Sequence, residues 1–261
     1  NIPQIEKFLF RYTILELNTA IKPYVIEKLF QRGYEKVFYI DPDIKVYSDL
    51  SVMTDLLDKY QVLLTPHLTG LLVDEKAPSE LDILRSGTYN LGYIGLRDTE
   101  NTKALVKWWQ SKLYLDCVVD LNRGLFVDQK WMDMVPGLFD GVYVQRHEGW
   151  NVAYWNLAHR EVSQTADGYE VNGQKLVFFH FSGFASDAKT LSKHQNRFSK
   201  VFAGSAVAEL CEEYASDLER FGADDCKSLD YAFGQFPDGT SIPNQARYIY
   251  RDEFDWQNDN N

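Results

Sequence analysis

The stretch Val37-Phe38-Tyr39-Ile40-Asp41-Pro42-Asp43 decides how this sequence is read. Its first four residues are apolar, β-branched or aromatic, which predicts a buried strand. Two carboxylates follow at once. Pro42 has a fixed φ and no N–H, so ladder pairing is expected to stop there. In an open α/β sheet the ligand crevice lies at the carboxyl ends of the strands, which brings Asp41 and Asp43 to the mouth of a candidate site. Two close carboxylates raise each other's pKa unless a positive charge sits between them. Mg²⁺ or Mn²⁺ supplies that charge and prefers hard oxygen ligands. A solvated strand-end turn is the alternative reading.

Upstream, residues 5 to 32 carry apolar residues at helical spacing (Ile14, Leu17, Ile21, Val25, Leu29), with Gly33 as a stop and Pro23 as a break or fresh start. Downstream, Ile44 to Tyr47 reads as a short extended piece, Leu50 to Tyr60 as an amphipathic helix and residues 62 to 65 as a buried strand. A loop is expected from Pro66 to Ser79. Tyr89 to Leu96 is a strand interrupted by Gly92 and Gly95, a sign that ligand or backbone comes close. Thr99 to Asp116 is helical, and Phe126-Val127-Asp128-Gln129 opens a short helical segment ending near Pro136. Tyr143-Val144 is a strand candidate. Asn172-Gly173 marks a hairpin whose second strand, Lys175 to Phe181, runs into Ser182-Gly183. Residues 205 to 221 form a last helix, and 236–261 reads as a polar tail or linker. Strands alternating with helices give an α/β fold.

The 261 residues suit one large domain, here residues 1–235, with a tail. A net charge of −11 argues against nucleic acid and against a broad grip on anionic lipid. Cys117, Cys211 and Cys226 lack metal-ligand spacing, and an odd count suits buried thiols in a reducing compartment. No run reaches the ~20 apolar residues that span a bilayer, and no signal peptide is visible. The chain starts with Asn, so its natural start is expected to lie upstream. A helix comes first, where a nucleotide-binding α/β domain usually opens on a strand and phosphate loop. Neither G-x-G-x-x-G nor a P-loop is found.

Four further pieces answer Asp41-Pro42-Asp43, and together they resemble one family. The chain is similar to metal-dependent nucleotide-sugar glycosyltransferases of the GT-A fold, closest to glycosyltransferase family 8 and its bacterial polysaccharide-assembly relatives. Asp41-Pro42-Asp43 resembles the D-x-D, and Tyr89-Asn90-Leu91-Gly92 the Phe-Asn-small-Gly strand. Phe126-Val127-Asp128-Gln129 resembles the Asp-Gln-Asp element, with Lys130 at the second Asp. Trp150-Asn151 resembles the Trp-Asn pair and His180-Phe181-Ser182-Gly183 the His-x-x-Gly. The likeness covers residues 10 to 200.

The resemblance implies a Rossmann-like mixed sheet flanked by helices, here without its N-terminal nucleoside-binding strand. It also implies a retaining transfer of a hexose from a nucleotide-diphosphate sugar to a glycan or lipid-linked glycan. By resemblance Asp41, Asp43 and His180 hold the metal, and the histidine favours Mn²⁺ over Mg²⁺. Asn90 and Gly92 meet the donor sugar, while Lys193 (with Arg197 and Lys189 as rivals) and Lys22 meet the donor's negative charge. Asp128 and Gln129 are the catalytic candidates. Trp150, Asn151 and Tyr154 are the acceptor-binding candidates, with Trp155 beside them; core packing is an equal reading for each aromatic. Bacterial polysaccharide or lipopolysaccharide synthesis is the implied setting, in the cytoplasm and peripheral to the inner membrane, with further domains of the same polypeptide as partners.

Two rivals remain. Haloacid-dehalogenase-type phosphatases also place D-x-D after an apolar strand, with a Thr or Val where this chain has Lys45; Asp224-Asp225 would then be their late acidic pair. The other is a non-catalytic sugar-nucleotide-binding module of a larger polysaccharide-synthesis protein.

Overall fold

The computed structural model describes residues 2–185, 190–198 and 204–253. The region read as continuous helix resolves into α1 (Ile5–Arg11), α2 (Ile14–Ala20) and α3 (Lys22–Gln31). The breaks have local causes. Thr13 caps α2, accepting from the Glu16 N–H while Glu16 reaches back to the Thr13 N–H, a reciprocal cap worth about 1 kcal/mol. Pro23 sits at the start of α3, where its missing N–H costs nothing. Lys22 therefore stands at the first turn of α3, just ahead of the sheet.

The chain continues as β1 (Lys36–Ile40), β2 (Ile44–Val46), α4 (Ser51–Lys59), β3 (Val62–Pro66), α5 (Glu80–Ser86), β4 (Tyr89–Arg97) and α6 (Glu100–Leu113). Next come β5 (Val119–Asp120), β6 (Leu125–Phe126), a 3-10 helix (Gln129–Met134), α7 (Val135–Leu138) and β7 (Val142–Val144). The last part holds β8 (Val162–Thr165), β9 (Gly168–Val171), β10 (Gln174–Lys175), β11 (Phe178–His180), α8 (Ala206–Arg220), α9 (Ala223–Lys227) and α10 (Asn244–Glu253).

The fold is mixed α/β, as expected. Its main sheet runs β1-β4-β3-β7, with β4 antiparallel to both neighbours and β3 parallel to β7. β3 is buried throughout and β4 nearly so, which is why both read as near-continuous apolar runs. Alternation splits the core across the two faces. Val62, Leu64 and Leu96 meet Ile26, Phe30, Leu105 and Trp109 of α3 and α6. Leu63 and Tyr93 meet Met53, Leu57, Trp150 and Phe178 on the other side.

The hairpin turn forms as the sequence demands, with Asn172 and Gly173 both at positive φ (50° and 75°). Its second strand does not stay with the first. β10 pairs with β9, and after Leu176-Val177 the chain changes partner so that β11 pairs with β2, setting His180 opposite Ile44. This change of partner delivers the imidazole to the acids.

Other differences have plain causes. The expected loop ends at Ser79, as read, and α5, which was not among the expected elements, follows it, opened by a reciprocal cap between Ser79 and Asp82. The helix expected last is followed by α9 and α10. α10 lies inside the segment read as tail, and it docks because buried Arg247 donates to the carbonyls of Phe10, Tyr12 and Phe233. Arg251 adds two hydrogen bonds to Glu16. Cys117 and Cys211 are buried, but Cys226 is exposed. Among the described residues no helix is long and apolar enough to cross a membrane.

Candidate functional site

Backbone pairing places the two acids. The Asp41 N–H makes the last rung, to the Gly92 carbonyl at 2.8 Å, before Pro42 ends the ladder. The Asp43 carbonyl accepts from the Phe181 N–H at 2.8 Å, which ties the acid turn to the residue after His180. His180 Nε2 then lies 3.0 Å from Asp43 Oδ1 and 3.9 Å from Asp41 Oδ2. One ligand atom from each of the three residues falls within 4.8 Å of the others. Burial pushes the Asp43 carboxyl up, but the hydrogen bond and charge of His180 outweigh it and hold Asp43 below the usual carboxylate range. Two carboxylates and an imidazole nitrogen, clustered on the wall of a cavity of about 610 Å³, form a donor set compatible with a divalent cation.

Gly92 makes room for the imidazole. A Cβ there would stand 2.4 Å from His180 Cε1, so the close approach signalled by this glycine is that of His180.

A second charged cluster shares Asp41. Lys22 Nζ lies 2.8 Å from Asp128 Oδ2 and 3.7 Å from Asp41 Oδ1, and it donates to the Leu91 carbonyl at 3.0 Å. It also sits 4.3 Å over the Tyr39 ring, and the Tyr39 hydroxyl donates to Asp41. Burial lowers the Lys22 pKa, but Asp128 and then Asp41 outweigh it, so the ammonium is held more tightly than usual. Burial raises Asp128 against the pull of Lys22. Val127, just before Asp128, adopts a left-handed backbone (φ 41°). For a β-branched residue that is strained, and such strain gathers at functional sites.

Behind these clusters lies a polar interior. Asn90 joins Gly92, Asn151 and His67, while Asn151 joins Thr65 and His180. Burial holds His67 down to about 4, so it is neutral at physiological pH.

The cavity wall brings together Asp41, Asp43 and His180 with Lys22, Asp128 and Gln129; Asn90, Gly92, Tyr154 and Trp155 line it as well. Gln129 is largely buried: its Oε1 accepts from the Leu91 N–H (3.5 Å) and its Nε2 donates to the Ser86 carbonyl (2.9 Å). Its amide oxygen therefore faces the backbone rather than a sugar carbon.

Two acceptor-binding candidates lie behind the wall. Trp150 is 2% exposed and wedged against Tyr93 and Phe178, so it packs the core. Asn151 is fully buried, its amide engaged by protein groups. Lys193 is exposed and does not line the cavity, whereas His194 does. Arg197 is bound to Asp74 through two hydrogen bonds, and Lys189 lies outside the described residues. Asp224 pairs with Lys227 on exposed α9, and neither Asp224 nor Asp225 lines the cavity. The acidic pair that the phosphatase reading needs is absent from this wall.

Sequence reasoning missed His67 on the wall. The signal was present: Val62-Leu63-Leu64-Thr65-Pro66-His67 repeats the order of apolar strand, polar residue, proline and polar residue seen in Asp41-Pro42-Asp43, with His67 in the place of Asp43.

No family model matches the chain. Two proteins of Bacillus subtilis (strain 168) are similar to it. The uncharacterized protein YfnD is 31% identical over 250 residues, covering 94% of this chain and 76% of YfnD. The uncharacterized protein YfnF is 29% identical over 171 residues, 63% of this chain, and the match spans only 55% of YfnF's length. Among solved structures, a glycosyltransferase involved in the glycosylation of the major capsid of PBCV-1 overlays with a TM-score of 0.41 at 11% identity, covering 76% of this chain and 75% of that one. An overlay that loose has no bearing on the reaction.

Proposed function

We propose a reaction for this chain, which belongs to the family of the Bacillus subtilis protein YfnD. It is the metal-dependent transfer of a hexose from a nucleotide-diphosphate sugar to a glycan or lipid-linked glycan, with retention at the anomeric carbon. The observation that carries this reading is the meeting of Asp41, Asp43 and His180 on one cavity wall. The acid pair and the imidazole arrive from distant parts of the chain, in the order and residue types of the resembling family's metal ligands.

Breaking the anomeric C–O bond leaves a cation-like sugar carbon and a diphosphate gaining negative charge. Asp41, Asp43 and His180 would hold Mn²⁺ or Mg²⁺, which when bound neutralises the leaving diphosphate as a Lewis acid. Lys22 adds a fixed positive charge beside the same aspartate. Asp128 holds that ammonium in place, and Gln129 clamps β4 to α5 along the wall. Asp128 is neutralised by Lys22 and the Gln129 amide is engaged by backbone, so neither is free to serve as a covalent nucleophile. Retention then favours attack by the acceptor from the side the diphosphate leaves. Tyr154 offers an aromatic ring to the acceptor sugar, Trp155 backs it and the His180 imidazole, and Asn90 and Gly92 border the donor. A catalytic unit over residues 1–235 with α10 docked on it, working on the cytoplasmic side of the inner membrane with further domains of the same polypeptide, completes the proposal.

The test is a calorimetric and thermal-shift screen of UDP- and GDP-sugars with and without Mn²⁺. Tight binding of one donor only with metal, together with slow release of its sugar, is the expected result. Metal-dependent binding without any sugar release would replace the enzyme with a binding module. Phosphate release from simple phosphoesters without donor binding would replace it with a phosphatase.

A further inference from the structure

We infer that Asn90 and Asn151 form a directional relay that keeps a proton on His180 Nδ1 and so leaves Nε2 as the nitrogen presented to Asp41, Asp43 and a cation. This inference deepens the proposed metal site and rests on it for its purpose, although the Nδ1 proton is readable without metal.

An amide or an imidazole can be turned end for end, so the polarity of a network must come from a group that cannot. The Gly92 backbone N–H is such a group. It meets one end of the Asn90 amide at 3.1 Å, and that end must be the oxygen. The same oxygen lies 3.0 Å from one end of the Asn151 amide. Two oxygens at that distance would repel, so the Asn151 atom is nitrogen. That nitrogen also donates to Thr65 Oγ1 at 3.1 Å, while the Thr65 hydroxyl donates to the Asn90 backbone carbonyl at 3.5 Å. Asn151 has only its oxygen left for His180 Nδ1, 3.3 Å away.

An oxygen acceptor demands a proton on Nδ1. Nε2 is then the nitrogen turned to the acids, 3.0 Å from Asp43 and 3.9 Å from Asp41. Without a cation it meets Asp43 as an N–H donor, and a cation shared by all three residues would take the place of that proton. The relay also runs the other way. The Asn90 nitrogen faces His67 Nε2 at 3.3 Å, so His67 is fixed as the Nδ1–H tautomer too. Asn90 and Asn151 are thus positioning residues. Asn suits position 151 doubly, because its backbone there is left-handed (φ 51°), a conformation Asn, Asp and Gly adopt more readily than other residues.

Long-range ¹H–¹⁵N spectra of the labelled protein, metal-free at about pH 8 and so above the ordinary histidine range, report each ring's tautomer directly. His180→Gln and His67→Gln assign the two signals among the five histidines. Both are expected to carry a proton on Nδ1. A His180 ring whose only proton is on Nε2 overturns the relay. The second readout is Mn²⁺ affinity, followed by tryptophan fluorescence. Asn151→Gly, which keeps the left-handed backbone but removes the acceptor, should weaken binding about 10- to 100-fold. A folded Asn151→Gly variant that binds Mn²⁺ like wild type would also overturn the relay. If that variant does not fold, the wild-type spectra decide. Wild-type protein that shows the proton on His180 Nδ1 but takes up no Mn²⁺ would overturn the metal reading and leave the relay supported.

Discussion

On one side of Asp41 lies the Lys22–Asp128 pair, with side chains 3% and 2% exposed and opposite charges 2.8 Å apart. On the other lie Asp43 and His180, where the carboxylate is 39% exposed and the imidazole is buried beneath it. The first cluster is closed: its charges cancel and its ammonium also reaches a backbone carbonyl and an aromatic face. The second is open: it has two acids, one imidazole and a cavity in front. A buried pair with both partners present is a structural element, and breaking it is far costlier than keeping it. An acidic cluster left short of positive charge is a place for a cation to enter. Burial and charge balance, rather than residue type, separate the two roles.

The hardest way to break this contrast is to open the closed side. Asp128→Leu leaves Lys22 buried without its nearest partner and should cost about 3–5 kcal/mol in urea unfolding. Adding Lys22→Met should recover most of that loss, because an apolar pair of similar volume needs no compensation. A single-variant cost below about 1 kcal/mol would show the pair is not closed.

The neutral interior between the clusters offers a pH test. His67 is held down to about 4 by burial, against about 6.5 in the unfolded chain. A lowered histidine pKa means the folded state binds fewer protons, so its stability is full above about pH 6.5 and is lost as pH falls towards 4. At ~1.4 kcal/mol per unit the loss approaches about 3 kcal/mol. Asp43, also lowered, acts in the same direction only at more acidic pH, below the ordinary carboxylate range. Urea midpoints across this window should fall for wild type and stay flatter for His67→Gln; parallel curves would contradict the buried neutral ring.

The open side should respond in function and barely in stability. Asp43→Ala should weaken Mn²⁺ binding at least about 100-fold, as a lost ligand would, while unfolding changes by less than about 1 kcal/mol for a carboxylate that is itself partly exposed. Unchanged Mn²⁺ affinity would remove the metal assignment.

Much of this was legible in the sequence. The strand before Asp41, the glycine-containing strand β4 and the Asn172-Gly173 turn carry their reasons within a few residues, and each formed where expected. Yet β1, read as a buried strand, is mostly half-buried at the sheet's edge, and β4 runs unbroken through its glycines. Lys22, the loosest match to the resembling family, proved to sit between Asp41 and Asp128. Trp150 and Asn151 read as ligand-facing because aromatic and amide side chains suit both a sugar and an interior. Only the identity of the neighbours decides, and Tyr93, Phe178, Thr65 and Asn90 are those neighbours. Lys193 illustrates the same limit, since a cation's spacing from His180 does not fix which way the loop carries it.

By itself the sequence determined that an apolar strand ends at a proline with an acid on each side, because strand period and proline geometry are local properties. Only the tertiary structure decided that His180 completes the set. That outcome rests on β11 leaving its hairpin to pair with β2. Such a choice between distant partners is settled by the packing and hydrogen-bond satisfaction of the whole core, and no short stretch of chain records it.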